Sequence, residues 1–402
     1  MPPETATTAL PLIQSPAGVL AALASVGAFF FWLQRTTRWR LFDYLPPLIY
    51  IYLVPVLLSN LPAVQGRAVL PTESAVYDAL GALVLPLMLV LLLMNVDVGG
   101  ALRVLGRGVG VMLFGTLGVV IGAPLGLLAV RGWIGPDADK AFGTLAGSWI
   151  GGTGNMAAVQ QMIGAGETDL GLAVLGDTTI YILWLPILLG CKKYAESFAC
   201  FTGVDPGRVE RMERIALEQA EEKRPPTTPD FLALLAVGLL VTWAATAIAA
   251  AIPEAPPYLS TSTYRILLVT TLGIGLSFSP MRRVPGSHEL GMALVYLFVA
   301  RMGASAQLDR LAGQALPFLA GATLWIFIHG AFCLLGAKLL KVDIHTAAIA
   351  SAANIGGAAS ATVVASHHRE SLVPAAVLMA LVGYAVGNYA AYLAWYLCSL
   401  GG

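Results

Sequence analysis

Charge is scarce in this chain. Of its 402 residues, 11% are charged and 57% hydrophobic, whereas a soluble domain carries roughly 25% charged residues. So few charges cannot cover a water-facing surface, which excludes an ordinary soluble protein. The 23 Lys and Arg balance the 23 Asp and Glu, and no basic stretch is interleaved with aromatics, so the electrostatic footprint of a nucleic-acid partner is missing. Cysteine is sparse too: Cys191, Cys200, Cys333 and Cys398 lie far apart without metal-ligand spacing, which argues against a disulfide framework or a zinc site. Glu4, and no Lys or Arg, precedes the first apolar run. A cleaved leader starts positively, so this run reads as a retained first span.

Long apolar runs are abundant. Segments able to cross, or nearly cross, about 30 Å of hydrocarbon fall at Ala17–Leu33, Tyr44–Leu58, Ala79–Val96, Gly108–Val130 and Leu170–Leu189 in the first half. In the second half they fall at Phe231–Ile252, Tyr264–Phe278, Leu290–Ala304, Ala315–Leu340 and Leu372–Leu397. Two further segments, 141–163 and 344–366, have membrane-like length but are rich in Gly, Ser, Thr and Asn; they read as re-entrant hairpins that enter and leave on one side. With the N-terminus outside, all 23 Lys and Arg fall in inside loops except Arg67, Arg131, Lys140, Arg265, Arg301 and Arg310, as the positive-inside rule requires. Making either hairpin a full crossing would invert every later loop and spoil that bias.

The halves match in sequence. Ser148-Trp-Ile-Gly-Gly-Thr-Gly-Asn155 lies over Ala353-Asn-Ile-Gly-Gly-Ala-Ala-Ser360 at an offset of 205, and Asn95–Leu102 lies over Arg301–Leu308 at 206. An odd number of crossings per half turns the second copy upside down. The expected fold is therefore an all-α polytopic membrane protein of two inverted repeats, 1–190 and 231–402, each with about five spans and one hairpin. Between them, 191–230 is a polar connector, whose 209–223 stretch has helical periodicity and stops before Pro225-Pro226. A linker is the plain reading of this stretch and partner binding the alternative.

A glycine-rich break at membrane depth is costly unless it lines a cavity. Here the break recurs at one register in both hairpins, and after each Gly-Gly a helix-like stretch resumes behind Asn155 or Ser360, both good N-cap residues. Helix N-termini aimed at the midplane suit carboxylates or other anions. The unwound carbonyls of Gly151, Gly152, Thr153 and Gly154, and of Gly356, Gly357 and Ala358, suit a hard cation such as Na⁺. Small residues also mark close helix packing, a reading that the repetition weakens. Asn354 completes the expected central site. Asp177 is an intramembrane carboxylate, rare without a role, that can ligate a cation, take a proton or make a structural hydrogen bond. Asn388 occupies the comparable place in the second half, with Tyr384 and Tyr389 nearby. Arg301 either pairs with a substrate carboxylate or snorkels to the interface. His329 is a helix–helix hydrogen bond or a proton relay. His367 and His368 are adjacent and share no helix face, so no metal site is expected there.

Ile150–Ala158, Ala173–Thr179, Ala352–Thr362 and Leu381–Asn388 closely resemble the YjcL-like membrane proteins, a family known only as domain of unknown function 819. More distantly, paired Gly-Gly hairpins in inverted halves look like the sodium–glutamate and sodium–citrate symporters. That resemblance implies an elevator motion and a homodimer, although the second motif here reads Gly-Gly-Ala-Ala-Ser where those families keep a further glycine. The expected function is a secondary transporter, Na⁺-coupled, for a small carboxylate or amino acid. Proton coupling or a non-transporting sensor or scaffold are the alternatives. No His-Glu-x-x-His or Gly-x-Ser-x-Gly motif is present, so no enzyme and no cofactor beyond the coupling ion is expected. The expected location is a bacterial inner membrane, with both termini outside.

Overall fold

The structure, a computed structural model, describes residues 10–37, 39, 42, 47–62, 66–205, 207, 210–212, 214–215, 224–306 and 313–401. Glu4, Arg38, Arg40, Arg208, Arg310, Lys223, Gln307, Leu308, the start of the span expected from Tyr44 and most of the connector helix lie outside them. Within the connector, 210–212 and 214–215 are helical.

Regular structure among the described residues is helical. The first half contains α1 (Pro16–Thr37), α2 (Pro47–Asn60), α3 (Ala75–Leu93), α4 (Val98–Leu105), α5 (Arg107–Val130), α6 (Ala138–Met162), α7 (Glu167–Gly190) and α8 (Ala195–Thr202). The second contains α9 (Thr228–Ala251), α10 (Thr261–Ser277), α11 (Ser287–Ser305), α12 (Ala315–Leu340), α13 (Ile344–His368) and α14 (Val373–Leu400). Side-chain caps set several starts: Asp97 accepts the Gly100 N–H at 2.9 Å, Ser260 that of Thr263 at 3.2 Å and Asp343 that of Thr346 at 2.8 Å, each satisfying an otherwise orphaned donor. Among the described residues, eight helices are long and apolar enough to cross a membrane, and the apolar α2 is shorter.

Two helices depart from regularity at one residue each. Gly152 in α6 has φ 73° and ψ −173°, and Gly357 in α13 has φ 61° and ψ −151°. A straight helix of 25 residues would separate its ends by about 37 Å, yet the ends of each helix meet. Lys140 Nζ donates to Gly164 O at 3.2 Å, and a Cβ on Gly147 would stand 2.8 Å from Asn155 O. His345 Nδ1 lies 3.0 Å from His368 Nδ1. The two arms of each broken helix therefore lie side by side. Gly108, at the start of α5, touches Thr346, whereas Gly126, near its end, touches Phe142. The bases of the two broken helices thus sit at opposite ends of α5.

The helices pack in two groups, each drawn from both halves of the chain. In one, α5 packs along α12, and α6, α7, α13 and α14 surround that pair; in the other, α2 packs on α11 as α10 packs on α3, with α1 and α9 outside. Contacts between the groups are sparse and run mainly through α3, α10 and α11 against α6, α7 and α14. Along the α5–α12 seam, Gly110 faces Leu340, Gly122 faces Trp325 and Gly126 faces Gly321, so the two helices run antiparallel. Lipid tails are as apolar as Leu, so such close approach of small residues, rather than exclusion of water, holds membrane helices together. Trp149, Trp325 and Phe142 stack behind the seam, with ring centroids 4.5 and 5.6 Å apart.

Candidate functional site

A cavity of about 440 Å³ lies where the two breaks meet. Gly152 and Gly357 face each other closely: a Cβ added to Gly152 would come within 3.9 Å of Gly357 Cα. Both glycines occupy a positive-φ, extended-ψ region that is essentially closed to other residues. Helix resumes at Thr153 and Ala358, so the positive ends of two second arms and the carbonyl ends of two first arms converge there. The break uses the second glycine of each pair. Asn155 and Ser360 therefore lie three residues inside the second arms, not at the caps expected from the sequence.

Gly151, Gly152, Thr153, Gly154, Gly356 and Ser360 line the cavity, and so does Asp177. Asp177 reaches it from α7, with Ser148 and Trp149 of α6 beside its carboxylate. Its Oδ1 is buried without a hydrogen-bond partner, as are Trp149 Nε1 and the hydroxyl of Tyr52, another lining residue. Among the described residues that line the cavity, Asp177 is the one carboxylate, and there is no Lys or Arg.

Three expected site residues stand behind the lining. Asn155 is buried and donates to Tyr384 O at 3.0 Å. Asn354 is held against α5, donating to Met112 O at 2.9 Å and accepting from Thr116 at 3.3 Å. Asn388 donates to Thr270 at 2.8 Å, and its Oδ1 is buried without a partner. Gly357 forms the tip itself. The tyrosines Tyr52, Tyr181, Tyr296 and Tyr384 also line the cavity, and the hydroxyl of Tyr384 accepts the first N–H of the second α13 arm, that of Ala358, at 3.3 Å. Sequence reasoning noted only Tyr384, as a neighbour, because a tyrosine in an apolar helix breaks no period.

Arg301 neither reaches the cavity nor stands alone. It donates to Tyr77 O and pairs with Glu167 at 3.4 Å. His329 bonds Gly115 O and Ser351 Oγ, both at 2.9 Å, and joins three helices. The His345–His368 pair was not foreseen, because its members are 23 residues apart. No group of three potential metal ligands occurs among the described residues.

Polar links between the two helix groups include Asn388 to Thr270 and Thr271 to Tyr389, midway along α10, and a cluster at one end. Arg301–Glu167 is joined there by Arg265 to Gln161 at 3.0 Å and by Thr263 to Met162 O at 2.7 Å, beside the base of α6. The cavity extends the other way, past Tyr296 and Met292 to His288 at the start of α11 and Pro47 at the start of α2.

The family model described as "Protein of unknown function (DUF819)" matches residues 21–398. The chain is also 27% identical over 335 residues to "Uncharacterized membrane protein YjcL" of Bacillus subtilis (strain 168), covering 80% of this chain and 83% of that protein. With eight helices among the described residues long and apolar enough to cross a membrane, the broken α13 counted among them by length and composition, the protein is an integral, multi-pass membrane protein.

Proposed function

The chain belongs to the family of proteins of unknown function DUF819, and on that premise we propose that it is a secondary active transporter, Na⁺-coupled, moving a small carboxylate or amino acid by an elevator-type exchange of access. In this reading α6 and α13 are re-entrant hairpins that enter the bilayer from opposite faces, and the halves 1–190 and 231–402 are inverted repeats joined by the 191–230 connector. Support comes from the antiparallel α5–α12 pair, from the reciprocal packing of α2 on α11 and α10 on α3, and from hairpin bases at opposite ends of α5. The group containing both broken helices is the moving body, and the group of α1, α2, α3, α9, α10 and α11 is the scaffold and the homodimer surface. Placement in a bacterial inner membrane with both termini outside belongs to the same reading. The reading includes no catalytic step.

One observation carries the proposal: two oppositely directed helix breaks face each other at Gly152 and Gly357, beside a cavity lined by Asp177, whose Oδ1 is buried without a partner. First-arm carbonyls and Asp177 face a cation, and second-arm N–H groups face an anion. The test is uptake of carboxylates and amino acids into proteoliposomes under an imposed Na⁺ gradient. Uptake that collapses with the gradient supports the proposal, and absence of flux for every solute ends it. Proton coupling is the second reading. Asp177 is the one carboxylate among the described lining residues, and an intramembrane carboxyl can carry a proton in place of a metal ion. Uptake driven by pH and indifferent to Na⁺ would select it.

A further inference from the structure

The cavity also limits what its solute can be, an inference that rests on the transport reading above. Its lining is largely apolar: Phe31, Leu92, Met156, Val174, Val295 and Val299 face it, and four tyrosines present ring faces as well as hydroxyls. Its one fixed formal charge among the described residues is negative, at Asp177. No guanidinium or ammonium stands among the described lining residues to receive an anion. Neutral hydroxyls of Ser148, Thr153, Thr178, Ser360 and Thr362 and the imidazole of His288 also line it, but the helix-terminal anion-binding elements are the starts of the second arms at Thr153 and Ala358. Tyr384 already takes one of their N–H groups, so this place accommodates a single carboxylate. A second carboxylate would be desolvated against apolar walls and repelled by Asp177, and each such group would need its own coupling cation.

We infer that the solute is a monocarboxylate with an apolar body, such as an aliphatic or aromatic amino acid or 2-oxo acid, and not a di- or tricarboxylate. The Tyr52 hydroxyl and the Asp177 carboxylate, both on lining residues and neither fully hydrogen-bonded, are the groups that an amino, hydroxyl or oxo substituent next to that carboxylate would engage. The tyrosine and valine surfaces take up the side chain.

The experiment uses the purified full chain. Thermal stabilisation by leucine, phenylalanine and 2-oxoisocaproate is compared with that by glutamate, succinate and citrate, at fixed Na⁺ and pH. The same solutes are then tested for flux in proteoliposomes. The expected result is half-maximal stabilisation by an apolar monocarboxylate at a concentration roughly a hundredfold lower than by any di- or tricarboxylate. Equal or tighter binding of a di- or tricarboxylate, with flux, would overturn this inference and leave the transporter standing. Flux of none of these solutes would remove both. Val295→Ala, which removes two methyl groups from the apolar wall and enlarges the cavity without altering either positive-φ glycine, should shift preference toward bulkier side chains; unchanged selectivity among monocarboxylates would count against the apolar wall as the selecting surface.

Discussion

The side-chain amide of Asn155 donates to the main-chain carbonyl of Tyr384 at 3.0 Å, tying the second arm of one broken helix to α14. Tyr384 in turn spans toward the other break, where its hydroxyl accepts the Ala358 N–H. Asn155→Ala removes a buried hydrogen bond whose acceptor carbonyl keeps its place in the α14 helix ladder, a loss of about 0.5–1.5 kcal/mol. The midpoint of thermal unfolding should fall, with solute preference unchanged among the molecules that remain folded. A selectivity change without loss of stability would place Asn155 in the cavity instead.

The break glycines should not tolerate a side chain. Their conformation costs a non-glycine residue about 1–3 kcal/mol, and each glycine also faces the Tyr384 ring. Gly152→Ala and Gly357→Ala are expected to lower the unfolding midpoint and weaken solute binding together. Gly275→Ala, at a helical site with nothing within 4 Å, is the control: it should be neutral or gain up to about 1 kcal/mol.

Replacing the cavity carboxylate separates fold from coupling. Asp177→Asn keeps the volume but removes the charge, so the purified protein should stay folded while losing stabilisation by Na⁺. An intact Na⁺ response in thermal unfolding would remove Asp177 from the cation site.

His329 is held in one tautomer by its neighbours. The carbonyl of Gly115 can only accept, so Nδ1 carries the proton and Nε2 accepts from Ser351, whose oxygen accepts from Trp184 Nε1 at 2.9 Å. Ser351→Ala orphans Trp184 Nε1 and leaves His329 Nε2 with only Cys333 Sγ at 3.5 Å, which should cost about 1–3 kcal/mol, read as a lower unfolding midpoint. Transport that changes its pH dependence with no loss of stability would point to a proton path instead.

Motion between the two helix groups can be stopped at a chosen place. Met162 O and Thr263 Oγ are 2.7 Å apart across the divide, which sets the two residues side by side. Oxidation of the Met162→Cys, Thr263→Cys pair should abolish flux in proteoliposomes, and a thiol reductant should restore it. Flux that survives complete crosslinking would show that these groups need not separate.

The span boundaries were legible because apolar runs in a chain with so little charge admit few alternatives; the run Ala315–Leu340 coincides with α12 end to end. The breaks were legible because Gly-Gly recurs at one offset, so each copy corroborates the other. The caps were misplaced because sequence favours Asn155 and Ser360 as cap residues, whereas the backbone turns at the positive-φ glycine three residues earlier. Asn354 and Asn388 share polarity with true lining residues, but helix rotation aims them at α5 and α10, and rotation is set by packing that no local pattern encodes. The His345–His368 contact and the tyrosine lining arise from long-range folding of apolar segments and leave no periodic trace.

The outward face of α5 carries Leu113, Leu117, Leu125 and Leu128, all exposed, on the same body that holds both glycine tips. If that body slides past its neighbour, these leucines travel relative to the acyl chains around them. Hydrophobic thickness then enters the energy of each end state, at fractions of a kcal/mol per Å of mismatch. Turnover should accordingly depend on acyl-chain length, with one thickness favouring the position in which the carrier waits.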